Sequence, residues 1–374
     1  MNNSICLIHY QPIEYYPPAY NLINELSKSK FINVLTNHNN RNIPNFGFNA
    51  NVRIKRFAVP EEGRTKFKRL YHILKFNFLA TVELFYLKPN IIVYIENQSI
   101  LPVFIFNYLS KRRKFIFCHY HEYTSSEKLK TETFVSRVLS KLEPSVISKA
   151  VWISHTNDDR VKLYSERFPQ INKSVLHSFP NFPPRHWQAK RNNKIDLPLN
   201  IVYIGSISLK NMYSKEFLTW VSMNVNKVNM DIYSINYTTD IIQFIESLNA
   251  PNIKFHPGVR YDLLPRIMDY YDVGTILYDS SQTNYVYNAP NKLFEYLACG
   301  LDVWLSNDLI SSQPYLCKNS FPKVISLDFN NLDKLNVESL IDRENMVFKE
   351  NDYFSDVSTE ELINKIEKIL SSKE

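Results

Sequence analysis

Short apolar runs separated by amphipathic stretches recur along the whole chain. Ser4–His9 reads as a first strand, Tyr10–Tyr16 as a loop, and Pro17–Ser29 as a helix with Tyr20, Leu22, Ile23 and Leu26 on its apolar side. Further strands are predicted at Ile32–Thr36, Val52–Phe57, Ile91–Ile95, Lys114–Cys118 and Ala150–Ser154, with helical patterns between them, Arg64–Leu87 included. Four prolines, Pro180, Pro183, Pro184 and Pro198, then border the polar, basic stretch Gln188–Lys194, which reads as a linker. Beyond it the pattern restarts, with strands at Leu199–Ile204, Met230–Ser234, Asn252–Phe255 and Asp272–Tyr278 and a helix over Leu263–Tyr271 that Asp262 can cap. Such alternation argues for parallel α/β sheets. The pattern divides the chain into 1–180, a linker 181–198, a second domain 199–355 and a terminal helix 356–374. Ser358 and Glu361 form a capping box for that last helix.

The stretch Tyr287–Trp304 organises the second half. Pro290 suits the first helical position and Gly300 the residue just past the end, where a positive φ is wanted. Leu293, Phe294, Leu297 and Ala298 make a buried stripe, and Lys292 and Glu295 stand one turn apart on another face. The helix N-terminus is a ready phosphate site, to which Lys292 adds a full charge. Glu295 lies roughly 7 Å along the axis, about the distance from a nucleotide's phosphates to its ribose hydroxyls. The competing reading is a solvated Lys/Glu pair on a surface helix.

Composition narrows the class. The 374 residues, 44% hydrophobic and 22% charged, are those of a globular protein with room for two cores. No apolar run approaches the length of a membrane span; Ile100–Leu109 contains Pro102 and Asn107. With no signal-peptide pattern after Met1, the expectation is a cytoplasmic protein. Cys6, Cys118, Cys299 and Cys317 lack metal-type spacing and read as free thiols. Residues 1–180 hold 25 Lys/Arg against 13 Asp/Glu, whereas the remainder holds 19 against 24, so an anionic partner is expected for the first half. Arg64–Leu87 mixes Arg64, Lys66, Lys68, Arg69, His72 and Lys75 with aromatic residues, and Lys111–Lys114 is a second basic cluster. Such a helix can lie on an anionic membrane at its inner face or simply present a solvated side. No recognised module accompanies the charge, so nucleic acid is not expected as a partner.

Candidate chemistry falls at strand ends. The strand ending at Cys118 leads into His119-Tyr120-His121-Glu122, where α/β folds place ligands. Glu122 is a candidate general base for a substrate hydroxyl, and His121 a ligand for hydroxyl or phosphate groups; a helix cap or structural hydrogen bond is the alternative for either. At His155–Arg160, Thr156 or Asn157 caps a structural helix. Strand, Gly205, Ser206 and a following Lys210 or Lys215 suggest a turn whose N–H groups face phosphate. No Asp-x-Asp or histidine cluster points to a metal.

The run Asn291-Lys-Leu-Phe-Glu-Tyr-Leu-Ala-Cys-Gly300, followed by a hydrophobic strand, resembles the donor-nucleotide helix of GT-B glycosyltransferases, family four and its relatives especially. The resemblance implies two Rossmann-like parallel-sheet domains facing a central cleft, with the acceptor on the first, the donor on the second, and a terminal helix packing back toward the first. It implies that Glu295 binds the donor ribose and that Val259 and Arg260 hold the nucleobase. The binding set is then Gly205, Ser206, Lys210, Val259, Arg260, Asn288, Asn291, Lys292 and Glu295. Metal-independent hexosyl transfer from a nucleotide sugar, a UDP-sugar favoured, to a saccharide or lipid-linked acceptor in surface polysaccharide assembly (lipopolysaccharide or capsule) is the implied activity, without a cofactor. Tyr287 stands eight positions before Glu295, where the family carries another glutamate. An inverting transferase using Glu122, a nucleotide-sugar epimerase and a non-catalytic partner subunit stay open as alternatives.

Overall fold

The computed structural model describes residues 4–39, 45–57, 66–191, 195–343 and 346–372; Arg64 and linker positions 192–194 lie outside them. The chain divides into two compact units, Met1–Pro180 with Ser355–Glu374, and Asn181–Phe354.

The first unit runs β1 (Ile5–His9), α1 (Pro17–Ser27), β2 (Ile32–Thr36), β3 (Val52–Arg56), α2 (Lys66–Leu87), β4 (Ile91–Ile95), α3 (Ile100–Leu109), β5 (Phe115–Tyr120), α4 (Ser126–Thr131), α5 (Phe134–Ile147), β6 (Ala150–His155), α6 (Asp158–Arg167) and β7 (Leu176–Ser178). Its strands form one parallel sheet in the order β3-β2-β1-β4-β5-β6-β7, doubly wound with its switch point between β1 and β4. The central strands are buried from end to end, as a sheet covered on both faces requires. β5 starts one residue later and runs two residues further than its pattern suggested. Lys114 turns away instead, its Nζ donating to the carbonyls of Phe106, Asn107 and Ser110 at the end of α3.

The second unit runs β8 (Leu199–Ile204), α7 (Ser214–Met223), β9 (Val228–Ser234), α8 (Thr239–Leu248), β10 (Ile253–Pro257), α9 (Leu264–Met268), β11 (Val273–Ile276), α10 (Thr283–Val286), α11 (Asn291–Ala298), β12 (Asp302–Ser306), β13 (Ser320–Phe321), β14 (Val324–Leu327), α12 (Val337–Ile341) and β15 (Val347–Phe348). Its main sheet, again parallel, is ordered β10-β9-β8-β11-β12-β14. β13 and β15 form a separate parallel pair.

The terminal helix α13 (Ser355–Ser371) belongs to the first unit and packs on α1. Ser355 Oγ donates to the Glu25 carboxylate at 3.0 Å, and Lys30 pairs with Glu367. The anticipated capping box is not formed: α13 begins three residues before Ser358, whose hydroxyl donates to the Ser355 carbonyl inside the first turn. Leu362, Ile366, Ile369 and Leu370 are buried along its inner face.

Candidate functional site

In the second unit the switch point lies between β8 and β11, and ligands of such sheets bind outside the carboxyl ends of those strands. The ladder between the two strands ends at the pairing of Val202 with Gly274. Past it, the Ile204 N–H donates to the hydroxyl of Tyr296 on α11, at 3.1 Å. A Cβ on Gly274 would meet the Tyr296 ring at 2.2 Å, so the missing side chain lets α11 settle onto the sheet. Gly300, at φ +76°, closes α11: its N–H reaches the Leu297 carbonyl and that of Leu301 the Tyr296 carbonyl, the Schellman arrangement. Pro290 stands one position earlier than expected, as the extended residue before α11, and its carbonyl accepts from the Leu293 N–H.

Lys292 and Glu295 do not form a solvated pair. Glu295 is 4% exposed, and Asn291 Nδ2 donates to its Oε1 at 2.9 Å. Burial raises the Glu295 pKa against the opposing pull of Asn291 and the Lys292 charge. Lys292 Nζ donates to the Tyr278 hydroxyl at 3.1 Å and lies 5.4 Å and 6.0 Å from the centres of the Tyr278 and Tyr203 rings. Tyr285 stacks on Tyr278 at 4.6 Å. Gly205, at φ +138°, lies directly beneath: a Cβ there would be 2.5 Å from Lys292 Cε. The expected role of the Gly205 N–H needs correction, because it donates to the Tyr233 carbonyl at 2.9 Å and is not turned to a phosphate. What the glycine provides is room for the lysine.

Gly205, Asn291, Lys292 and Glu295 are thus gathered into one group. Ser206 is the exposed neighbour of Gly205, its carbonyl accepting from the Tyr203 hydroxyl. The Asn288 carbonyl accepts from Ser312 Oγ in the loop that delivers α11. Lys210 is exposed on the loop after β8, and Lys215 lines a separate cavity of about 420 Å³ beside Trp220 and Phe329. Val259 and Arg260 follow β10, where the Arg260 guanidinium pairs with the Asp262 carboxylate; Asp262 sits in a 3₁₀ turn and not at a helix cap.

In the first unit the switch point between β1 and β4 holds a residue that the sequence pattern did not single out. Glu96 follows β4 at φ +63°, a strained backbone for a residue with a side chain. Its Oε1 accepts from the N–H groups of His121 (2.6 Å) and Glu122 (3.1 Å). From the other side, Arg160 Nη1 donates to the His121 carbonyl and to Thr156 Oγ1, and Asn157 caps α6. The turn carrying His121 and Glu122 is therefore held by a carboxyl group and a guanidinium. Burial and the nearby Glu122 charge push the Glu96 carboxyl up to about 8.

His121 is buried, its ring near those of His119 (4.5 Å), Tyr16 (5.7 Å) and His9 (6.5 Å). Burial, reinforced by His121, lowers the His9 pKa to about 3. His119 donates or accepts through Nδ1 to Ser154 Oγ, and burial likewise holds it neutral. Among the described residues no group of His, Cys, Asp or Glu is arranged to hold a metal ion. Glu122 is exposed, at the lip of a cavity of about 160 Å³ lined also by Glu96, Tyr120, Glu143, His155 and Arg167.

No protein-family model and no curated protein matches the sequence. Solved structures match in fold across the chain. The sucrose-phosphate synthase of Thermosynechococcus elongatus superposes with a TM-score of 0.70, at 11% identity over 99% of this chain and 100% of that one. WaaG, described as a glycosyltransferase involved in lipopolysaccharide biosynthesis, gives 0.63 at 13% identity over 97% and 95%. HepE of Anabaena, in complex with UDP-glucose, gives 0.60 at 10% identity over 99% of both chains. The chain has the GT-B fold, with two Rossmann-like parallel-sheet units.

Proposed function

We propose that the protein is a glycosyltransferase that moves a sugar from a nucleoside diphosphate sugar to a hydroxyl of a saccharide or lipid-linked saccharide. The observation that carries this reading is Lys292 lying across the bare backbone of Gly205 at the N-terminal turn of α11. An ammonium group and a helix N-terminus meeting at a switch point suit a diphosphate. Glu295, one turn further in, is the ribose ligand. Val259 and Arg260 follow β10 as the nucleobase loop, and Lys210 adds charge near the phosphates.

In the first unit Glu122 is the general base and His121 the neighbouring polar ligand. In the inverting form of this reading, Glu122 removes the acceptor hydroxyl proton as that oxygen bonds to the anomeric carbon and the bond from this carbon to the diphosphate oxygen breaks. The departing diphosphate carries negative charge that Lys292 and the α11 N-terminus stabilise, so the reading is metal-independent. Support for a UDP-sugar donor is the UDP-glucose complex of HepE, and for a surface-polysaccharide acceptor the description of WaaG.

The test follows nucleoside diphosphate release from UDP-, GDP-, ADP- and dTDP-sugars with saccharide acceptors. One donor is expected to give acceptor-dependent release, and Glu122→Gln to lower kcat about 100-fold or more with donor affinity unchanged. An active Glu122→Gln enzyme removes Glu122 from the role of base. A second reading, a partner subunit that binds nucleotide without turnover, is favoured by Tyr287 at the position of the family's earlier glutamate; it predicts binding and no release from any donor.

A further inference from the structure

Helix α2 is apolar on two opposite sides. Phe76, Ala80 and Leu84, spaced by four, are buried in the core of the first unit. At about 100° per residue, Phe78 points some 200° away from Phe76. On that outer side Phe67, Tyr71, Leu74, Phe78, Val82 and Tyr86 form a second row along the whole helix, with Phe67 84%, Phe78 67% and Tyr86 72% exposed. Tyr108 and Leu109 extend it at the end of α3, which packs beside α2. Scattered exposed apolar residues need no explanation, but a continuous row of six on one helix does.

Charge indicates what covers this row. Lys68, Lys75 and Lys88 are exposed on and just after α2, and Lys111, Arg112 and Arg113 follow α3. The one acid within the two helices, Glu83, is buried and paired with Lys55. Among the described residues of α2 and α3 every exposed charge is therefore positive, beside a row rich in aromatic side chains. Two copies of the chain meeting through it would bring like charges together, whereas an anionic surface neutralises them. No helix among the described residues is long and apolar enough to cross a membrane, so the row is suited to lie on a bilayer surface.

We propose that the outer face of α2, continued by the end of α3, docks on an anionic lipid bilayer, with the aromatic row at the headgroup level and the basic residues on lipid phosphates. This surface stands on its own observations, independent of the proposed activity.

Co-sedimentation with vesicles tests it, using phosphatidylcholine alone and phosphatidylcholine mixed with phosphatidylglycerol. Wild-type protein is expected to bind the anionic vesicles and to release as salt rises. Tyr71→Ser/Leu74→Ser/Phe78→Ser and, separately, Lys68→Glu/Lys75→Glu are expected to weaken binding at least about tenfold. All these side chains are exposed, so the melting temperature serves as the check that each variant folds. Wild-type protein that stays in the supernatant overturns the proposal. So does equal binding to neutral vesicles, or a wild-type dimer that the serine variant dissociates, which would give the face to a second copy.

Discussion

Glu96 keeps its proton near neutral pH, because burial raises its carboxyl to about 8 from an ordinary value of 4.5. Between those values the folded chain holds a proton that the unfolded chain has released, so this group lowers stability progressively as pH rises through the window. Glu96→Gln retains an oxygen for the His121 and Glu122 N–H groups and cannot ionise. Its melting temperature should match the wild type near pH 4.5 and gain on it steadily up to pH 8 or above. A difference that is constant with pH would contradict the assignment. At Gly205 the prediction concerns both backbone and neighbour. Alanine is strained at φ +138°, and its Cβ collides with Lys292 Cε, so Gly205→Ala should cost about 1–3 kcal/mol in denaturant unfolding and weaken nucleotide binding by displacing the ammonium group.

Helix α11 is seated by one tyrosine. Tyr296 fills the space left by Gly274 and satisfies the Ile204 N–H that β11 no longer pairs. Tyr296→Phe should cost about 1 kcal/mol, the order expected for losing one hydrogen bond to a partly buried donor. Gly274→Ala should cost about 1–3 kcal/mol through overpacking. Because a Cβ at position 274 meets the Tyr296 ring, Gly274→Ala/Tyr296→Ala should cost less in denaturant unfolding than the sum of Gly274→Ala and Tyr296→Ala measured singly; full additivity would mean that the two sites are independent. The bracketing of this helix was legible in the sequence, since Gly300 and the stripe Leu293–Phe294–Leu297 are local signals. The burial of Glu295 was not. Periodicity describes a helix alone, whereas the groups packed against its polar side come from elsewhere in the chain: Tyr203 on β8 and Tyr278 just past β11, both against Lys292. Glu96 escaped for the same reason: nothing near Ile95 signals that β4 will lie against β1, which is what makes its end a switch point. The start of α13 was misplaced because Ser358 has cap chemistry, whereas Ser355, anchored to Glu25, begins the helix.

The whole chain folds as two units of the same winding, and the first is completed only by its last helix. Removing residues after Phe354 strips α1 of α13 and of the buried side chains Leu362, Ile366, Ile369 and Leu370. At about 1.5–3 kcal/mol for each buried side chain, the first unit should lose much of its stability, which chemical denaturation followed by hydrogen exchange in β1 and β2 would detect. Unchanged protection there would show that α13 is dispensable. In the second unit Lys292, Gly205 and Glu295 form the group proposed as the nucleotide site. Thermal melting against UDP, GDP, CMP, ADP and dTDP, repeated with Glu295→Ala and Lys292→Met, addresses it directly. One nucleotide at about 100 times its Kd should stabilise the wild type by roughly 2.7 kcal/mol, and both variants should lose that response. If none of the five stabilises the protein at millimolar concentration, or if the response survives both substitutions, the nucleotide site is not the one formed by Gly205, Lys292 and Glu295.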